Sequence, residues 1–211
     1  MCSVRVPSVG GMGIGDDGQA WYVAYGSNQC RDRLLAYLDG TVAPIDGAPA
    51  AGMGAPGSAS ARYGPHRDCA DATPPSDDRW IELDRPLRFR GTSPRWGGAV
   101  AFLDLEPRPG TATPARAWLL GVDQILGIVA QESRRPDDVP RSVLADLAPG
   151  AWARVGTGRY DALLRLDDLE GRLALTVTTT RTLAHLPEGE PVPAYLATIA
   201  AGRAERPPEA R

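Results

Sequence analysis

The chain has 211 residues, 23 basic and 26 acidic side chains for a net charge of −3, and 24 Gly with 20 Pro. These figures fit one domain with long loops, and the near-balanced, slightly acidic charge excludes a nucleic-acid binder built on a basic surface. No apolar run approaches the roughly 18 residues that cross a bilayer, which excludes a membrane-spanning function.

Residues 1–19 are Gly-rich and polar, without a sustained apolar stretch, so a frayed segment rather than a signal peptide is expected there. Trp21-Tyr22-Val23-Ala24-Tyr25 is aromatic and β-branched and reads as a strand ending at Gly26-Ser27-Asn28. Leu34, Leu35 and Leu38 recur at helical spacing, giving a short helix over 31–38 that Ser27 or Asn28 would cap. From 41 to 78 the composition turns to Ala, Gly, Pro, Ser and Asp with no period, which predicts a long irregular loop. A strand interrupted by Pro86 follows over 81–89, then strands over 99–103 and 115–120. A helix is predicted over 122–134, stopped by Pro136, with a helical turn near 143–147. Strands over 160–166 and 173–180 are joined by a hairpin connection at 167–171, and a closing helix covers 193–202. Residues 206–211 read as a disordered tail. The order predicts a single α+β domain over 20–205, with a curved mixed β-sheet or small barrel and a few flanking helices.

Two segments carry chemistry. A strand-to-helix junction exposes backbone N–H groups with no internal partner, and these favour an anion. Gly26 permits a sharp turn and close approach, and Ser27 and Asn28 add side-chain donors and acceptors; the same two residues are equally suited to capping the helix. In the second segment, Val122, Ile125, Leu126 and Val129 form one apolar stripe, and Glu132 falls about 20° from Ile125 on a helical projection. A carboxylate beside a buried face is a competent proton shuttle. At a frayed helix end it would instead pair with Arg134 or Arg135 in solvent. Trp96, in Arg95-Trp96-Gly97-Gly98, offers an apolar wall or a plain turn-and-core residue. Tyr160, after Gly156-Thr157-Gly158-Arg159, offers a hydroxyl to a pocket or an ordinary strand aromatic.

Other signals fail on context. Gly13-Ile14-Gly15-Asp16-Asp17-Gly18 follows no strand, and its aspartates would repel a pyrophosphate. The pairs Asp77-Asp78, Asp137-Asp138 and Asp167-Asp168 lack calcium-loop spacing and read as solvated loops. Only two histidines exist, His66 and His185, in unrelated contexts, which argues against a zinc amidohydrolase or deacetylase. Cys2, Cys30 and Cys69 form no CxxC and leave one unpaired in any disulfide scheme, so a reducing cytoplasm is expected.

The stretch Trp21-Tyr22-Val23-Ala24-Tyr25-Gly26-Ser27-Asn28, followed by a short helix, resembles the opening of the γ-glutamylcyclotransferase-like family. The order of the remaining elements agrees from about residue 21 to residue 202: a central strand pair, a helix bearing a glutamate, a Gly-x-Tyr strand, a hairpin and a Pro-Ala-Tyr helix. Three features depart from the family pattern, one of them the loop 41–78, which matches nothing in it. Gln29 stands where an apolar residue often follows, and the helix reads Ala130-Gln131-Glu132-Ser133 rather than an acidic Glu-Gly. Glu170-Gly171 has that form, but between two strands, where a turn explains it. The resemblance implies an enzyme that releases 5-oxoproline from a small γ-glutamyl amide or amine, with no metal and no cofactor. It implies Glu132 as acid/base, Tyr25, Gly26, Ser27 and Asn28 as the substrate cradle, and Trp96 and Tyr160 as pocket walls. A binding protein of the same fold that turns nothing over is the alternative. The loop 41–78 is expected to select the leaving amine.

Overall fold

The computed structural model describes residues 15, 17–41 and 67–208. Most of the predicted N-terminal segment 1–19, most of the loop 41–78 and the end of the tail 206–211 lie outside them.

The described strands are β1 (Gln19–Ala24), β2 (Asp77–Leu83), β3 (Leu87–Arg90), β4 (Val100–Leu103), β5 (Thr113–Gly121), β6 (Trp152–Arg154), β7 (Ala162–Arg165) and β8 (Ala174–Thr178). The helices are α1 (Arg31–Asp39), α2 (Val122–Glu132) and α3 (Pro193–Ala204). Six strands form one mixed sheet in the order β2-β5-β1-β8-β7-β6, and β3 pairs with β4 in a separate hairpin. β1 is central, antiparallel to β5 and parallel to β8. The expected α+β class and mixed sheet are present. The sheet stays open, because no described ladder joins β2 to β6, so it does not close into a barrel.

Both faces of the sheet are covered, which is why β1 is buried from Ala20 onward and reads as an unbroken apolar run. Side chains alternate along it with the period of two that a pleat imposes. Ala20, Tyr22 and Ala24 pack with Trp118 and Leu175 against Leu34 and Leu38 of α1 and Ile125 and Val129 of α2. Trp21, Val23 and Tyr25 pack on the opposite face against Phe102 of β4 and Tyr195 and Ile199 of α3. Each Leu, Ile, Val or Phe among them contributes roughly 1.5–3 kcal/mol on burial.

Several boundaries differ from the expected ones. β2 begins at Asp77, so Asp77-Asp78 belong to a strand rather than to a solvated loop. Asp78 is there to meet the buried guanidinium of Arg116 at 2.8 Å. The short β6 has no sequence period of its own and takes its conformation from its ladder with β7. Asp17, expected to fray, forms a two-pronged pair with Arg172 at 2.6 and 3.0 Å. Arg206, assigned to the tail, lies 5.9 Å above the Trp80 ring. Glu170 and Gly171 make the hairpin turn with positive φ values of 51° and 73°, and Glu170 pairs with Arg79 at 2.9 Å. No described helix is long and apolar enough to cross a membrane.

Candidate active site

β1 ends against a 3-10 turn, Ser27–Gln29, before α1 begins. The expected side-chain cap is not formed. Cys30 holds the capping position of α1 without a side-chain hydrogen bond, and its N–H donates to the Ser27 carbonyl at 3.1 Å. The turn absorbs the junction and releases the Asn28 side chain for another use. Asn28 is buried at 6% exposure, and its Nδ2 donates to the Tyr22 hydroxyl at 3.1 Å and to Glu132 Oε1 at 3.2 Å. Its Oδ1 has no hydrogen-bond partner among the described residues. The Gly26 and Asn28 amides likewise make no backbone hydrogen bond among the described residues. A Cβ on Gly26 would lie 2.9 Å from the Tyr195 hydroxyl, so only glycine lets this turn approach α3 as it does.

α2 delivers Glu132 at its last turn, half-buried rather than frayed. The Tyr37 hydroxyl, from α1, donates to Glu132 Oε1 at 2.7 Å. Oε1 therefore carries two donors from two elements, while Oε2 receives none from the described residues. Arg33, one turn before Tyr37, places its guanidinium 5.1 Å from the Tyr37 ring and 5.7 Å from the Trp96 ring, within cation–π range. Burial, then the Glu132 charge, pushes the Tyr37 hydroxyl well above the usual tyrosine value. Burial and the same carboxylate do so for Tyr22, and Tyr195 is pushed up to about 12, chiefly by burial. These hydroxyls remain protonated donors across the physiological range.

The helix ends in a Schellman arrangement, with the Arg134 N–H on the Gln131 carbonyl and the Arg135 N–H on the Ala130 carbonyl. Arg134 sits at the left-handed position, φ 56°, where glycine is usual, at a cost of about 1–2 kcal/mol for a side-chain-bearing residue. Gly158 then docks on this helix end. A Cβ there would lie 2.7 Å from the Ser133 carbonyl oxygen, so the Gly-Thr-Gly-Arg-Tyr run is shaped to bring Arg159 and Tyr160 beside Glu132 and Arg134.

These parts enclose a cavity of about 220 Å³ lined by Ser27, Glu132, Trp96 and Tyr160, with Arg33, Arg95, Arg134 and Arg159 on its walls. A smaller pocket of about 40 Å³ shares Ser27, Glu132, Tyr160 and Tyr195 with it and reaches Tyr25, Gly26 and Asn28. Every residue singled out from the sequence therefore lies on this connected hollow. The two tyrosines among them use their hydroxyls on backbone carbonyls. The Tyr160 hydroxyl donates to the Ala101 carbonyl at 2.8 Å and the Tyr25 hydroxyl to the Val177 carbonyl at 2.6 Å, so both present rings rather than free hydroxyls. Trp96 stands edge-on to Tyr195, ring centroids 4.9 Å apart, at the tip of the β3–β4 hairpin.

The fold is similar to that of a gamma-glutamyl cyclotransferase. That solved structure is 16% identical with a TM-score of 0.48, and the match covers 89% of this chain and 79% of that one. The crystal structure of an uncharacterized protein from Homo sapiens is similar at 17% identity and a TM-score of 0.47, covering 89% of this chain and 80% of that one. No protein-family model and no curated protein matches the sequence.

Sequence reading missed Arg33, Tyr37, Arg95 and Tyr195. Arg33 and Tyr37 are spaced i, i+4 on α1, so they share a face, and a polar pair beside Leu34 and Leu38 was the available signal. Tyr195 stands out in the sequence only as part of the Pro-Ala-Tyr helix, and it reaches the site through the packing of α3.

Proposed function

We propose that this protein is a γ-glutamyl cyclotransferase-like enzyme that releases 5-oxoproline from a small γ-glutamyl amide or amine without metal or cofactor. The observation that carries the reading is that the Glu132 carboxylate, fixed by Tyr37 and Asn28, and the Gly26–Asn28 turn face one hollow. The resemblance of the Tyr25-Gly26-Ser27-Asn28 junction to that family points to the same chemistry.

In this reaction the substrate's α-amino nitrogen attacks its own γ-carbonyl carbon. A ring C–N bond forms, the original amide C–N bond breaks, and the freed amine departs. Holding the glutamyl chain folded supplies proximity, which in well-oriented intramolecular reactions is worth roughly 7–11 kcal/mol. Glu132 Oε2, the oxygen without a described donor, takes the proton from the substrate ammonium and returns it to the leaving nitrogen. Asn28 Oδ1 accepts from the same ammonium before transfer. The Gly26 and Asn28 amides stabilise the oxyanion that develops on the γ-carbonyl. The α-carboxylate then lies toward Arg33 and Arg95 on the basic wall. Trp96 and Tyr160 confine the folded chain.

The test is 5-oxoproline release from γ-glutamyl amides by the wild type and Glu132→Gln. Turnover should fall about 10²–10⁴-fold with the melting temperature nearly unchanged. Retained turnover in the variant removes Glu132 from the role. If the wild type releases no 5-oxoproline from any amide tried, the chain is a binding protein of this fold instead.

A further inference from the structure

Arg134 and Arg159 line two cavities: the hollow around Glu132 and a second one of about 380 Å³. Arg181 and Thr157 add polar groups to the second cavity alone, and Phe102 and Leu186 give it an apolar side. No carboxylate lines it among the described residues. The acids on the neighbouring segments are engaged elsewhere. Asp161 is buried and accepts from Thr179 and Thr180 at 2.7–3.2 Å, and Glu188 pairs with Arg90 at 2.6 Å. The polar groups left over are donors. Among the described residues, the guanidinium groups of Arg134 and Arg181 have no hydrogen-bond or ion-pair partner, and neither does the hydroxyl or the amide of Thr157.

Arginine keeps its charge throughout the physiological pH range, so three guanidinium groups on one concavity repel one another until an anion joins them. Arg159 is already held in place, donating to the Thr92 carbonyl at 2.5 Å. Arg134 occupies the left-handed position that ends α2, where glycine is favoured on steric grounds. A strained position that carries a long cation instead of glycine points to a use for that side chain.

We propose that the second cavity is a regulatory site for a small phosphate ester, separate from the substrate's own site, and that filling it weakens substrate binding in the Glu132 hollow. Guanidinium forks and a hydroxyl match the several oxygens of a phosphoryl dianion with charge-assisted hydrogen bonds. The volume falls within the range of about 300–1,000 Å³ usual for small-molecule sites and exceeds what a bare phosphate fills, so the ester's organic group lies against Phe102 and Leu186. The coupling follows from the shared wall. A dianion that recruits Arg134 and Arg159 draws off positive charge that those two residues otherwise present to an anionic group in the Glu132 hollow. Substrate and ester therefore oppose each other by the same factor in both directions. The ester site stands without the cyclotransferase reading; only the effect on turnover rests on it.

Calorimetry with phenyl phosphate and inorganic phosphate, at about 0.15 M salt to screen diffuse attraction, tests the site. The wild type should bind phenyl phosphate with a Kd below about 1 mM, at least about threefold tighter than inorganic phosphate. Arg181→Gln, which alters the second cavity alone, should weaken that binding at least about tenfold. Arg203→Gln, at an exposed position on α3, should leave it unchanged. Equal weakening in the two variants, or a preference for inorganic phosphate, overturns the site. Turnover of γ-glutamyl-ethylamide tests the coupling. Phenyl phosphate should raise KM about fivefold to a plateau, with kcat unchanged, and Arg181→Gln should abolish the effect while keeping the wild-type KM in its absence. A KM that climbs without a plateau places the ester in the substrate's hollow and overturns the separate site. A constant KM with the ester bound overturns the regulation. Should the amide yield no 5-oxoproline, the cyclotransferase reading fails by itself, and the affinity for the amide takes the place of KM: a fall of about fivefold with phenyl phosphate supports the coupling, and independent binding overturns it.

Discussion

Tyr37 and Glu132 stand 95 residues apart in the chain and meet at 2.7 Å, the hydroxyl of α1 donating to the carboxylate of α2. Neither partner is well placed by its own helix. Tyr37 is fully packed beneath the sheet with Leu34 and Leu38, and Glu132 is the last residue of its helix. The contact exists because both helices pack on the same face of β1, so the core determines where the carboxylate points.

Tyr37→Phe tests this orientation. The ring stays in place and one donor to Glu132 is lost. A hydrogen bond to a charged group is worth about 1.5–3 kcal/mol, so kcat should fall roughly 10–100-fold with a smaller change in KM. Unchanged kcat would show that Asn28 alone holds the carboxylate.

The end of α2 depends on a close backbone approach. Gly158→Ala would put a Cβ 2.7 Å from the Ser133 oxygen and 2.8 Å from its carbonyl carbon, both rigid backbone atoms. The loop must move, displacing Arg159 and Tyr160. A stability loss of about 1–3 kcal/mol is expected, together with reduced kcat/KM. Thermal unfolding and turnover both check it, and wild-type values in both would contradict the docking described.

Arg116 ties the junction to the rest of the sheet. Its buried guanidinium meets Asp78 at 2.8 Å, Glu205 at 2.5 Å and the Gln29 carbonyl at 3.2 Å, and lies 3.8 Å from the Trp118 ring centroid. Arg116→Met keeps the apolar stem and removes the charge. About 3 kcal/mol of stability should be lost, read from a urea midpoint, because two carboxylates and a carbonyl lose their shared donor. A change under about 0.5 kcal/mol would mean that water replaces the arginine without penalty.

The sequence made the frame readable wherever one local pattern decided the structure. The Trp21–Tyr25 run has no polar residue to expose, and it becomes the doubly covered central strand. The stripe through Val122, Ile125, Leu126 and Val129 becomes the buried face of α2, and it placed Glu132 beside that face. What stayed hidden was set by partners far away in the chain. Capping by Ser27 or Asn28 was the natural local reading, yet a 3-10 turn intervenes and Asn28 is claimed by Tyr22 and Glu132. Asp78 reads as loop until Arg116 of β5 is known to lie opposite it. The four arginines on the cavity wall come from α1, the β3–β4 loop, the end of α2 and the β6–β7 loop, so no window of sequence contains their convergence.

The buried tyrosines predict how stability responds to alkali. Tyr22, Tyr25, Tyr37 and Tyr160 are held above the ordinary tyrosine value chiefly by burial, and Tyr195 is pushed up to about 12. An unfolded tyrosine releases its proton near pH 10, whereas these keep theirs. Above pH 10 the unfolded chain therefore binds fewer protons than the folded one, and stability must fall as pH rises. The loss begins near 10 and continues through the folded values, at about 1.4 kcal/mol per pH unit for each tyrosine. Below pH 10 these groups contribute no pH dependence. The share of the 295 nm tyrosinate absorbance that belongs to these five of the six tyrosines should therefore rise together with the loss of circular dichroism, rather than ahead of it. Ionisation of these five near pH 10 in a protein that keeps its dichroism would mean that the hollow around Glu132 is open to water.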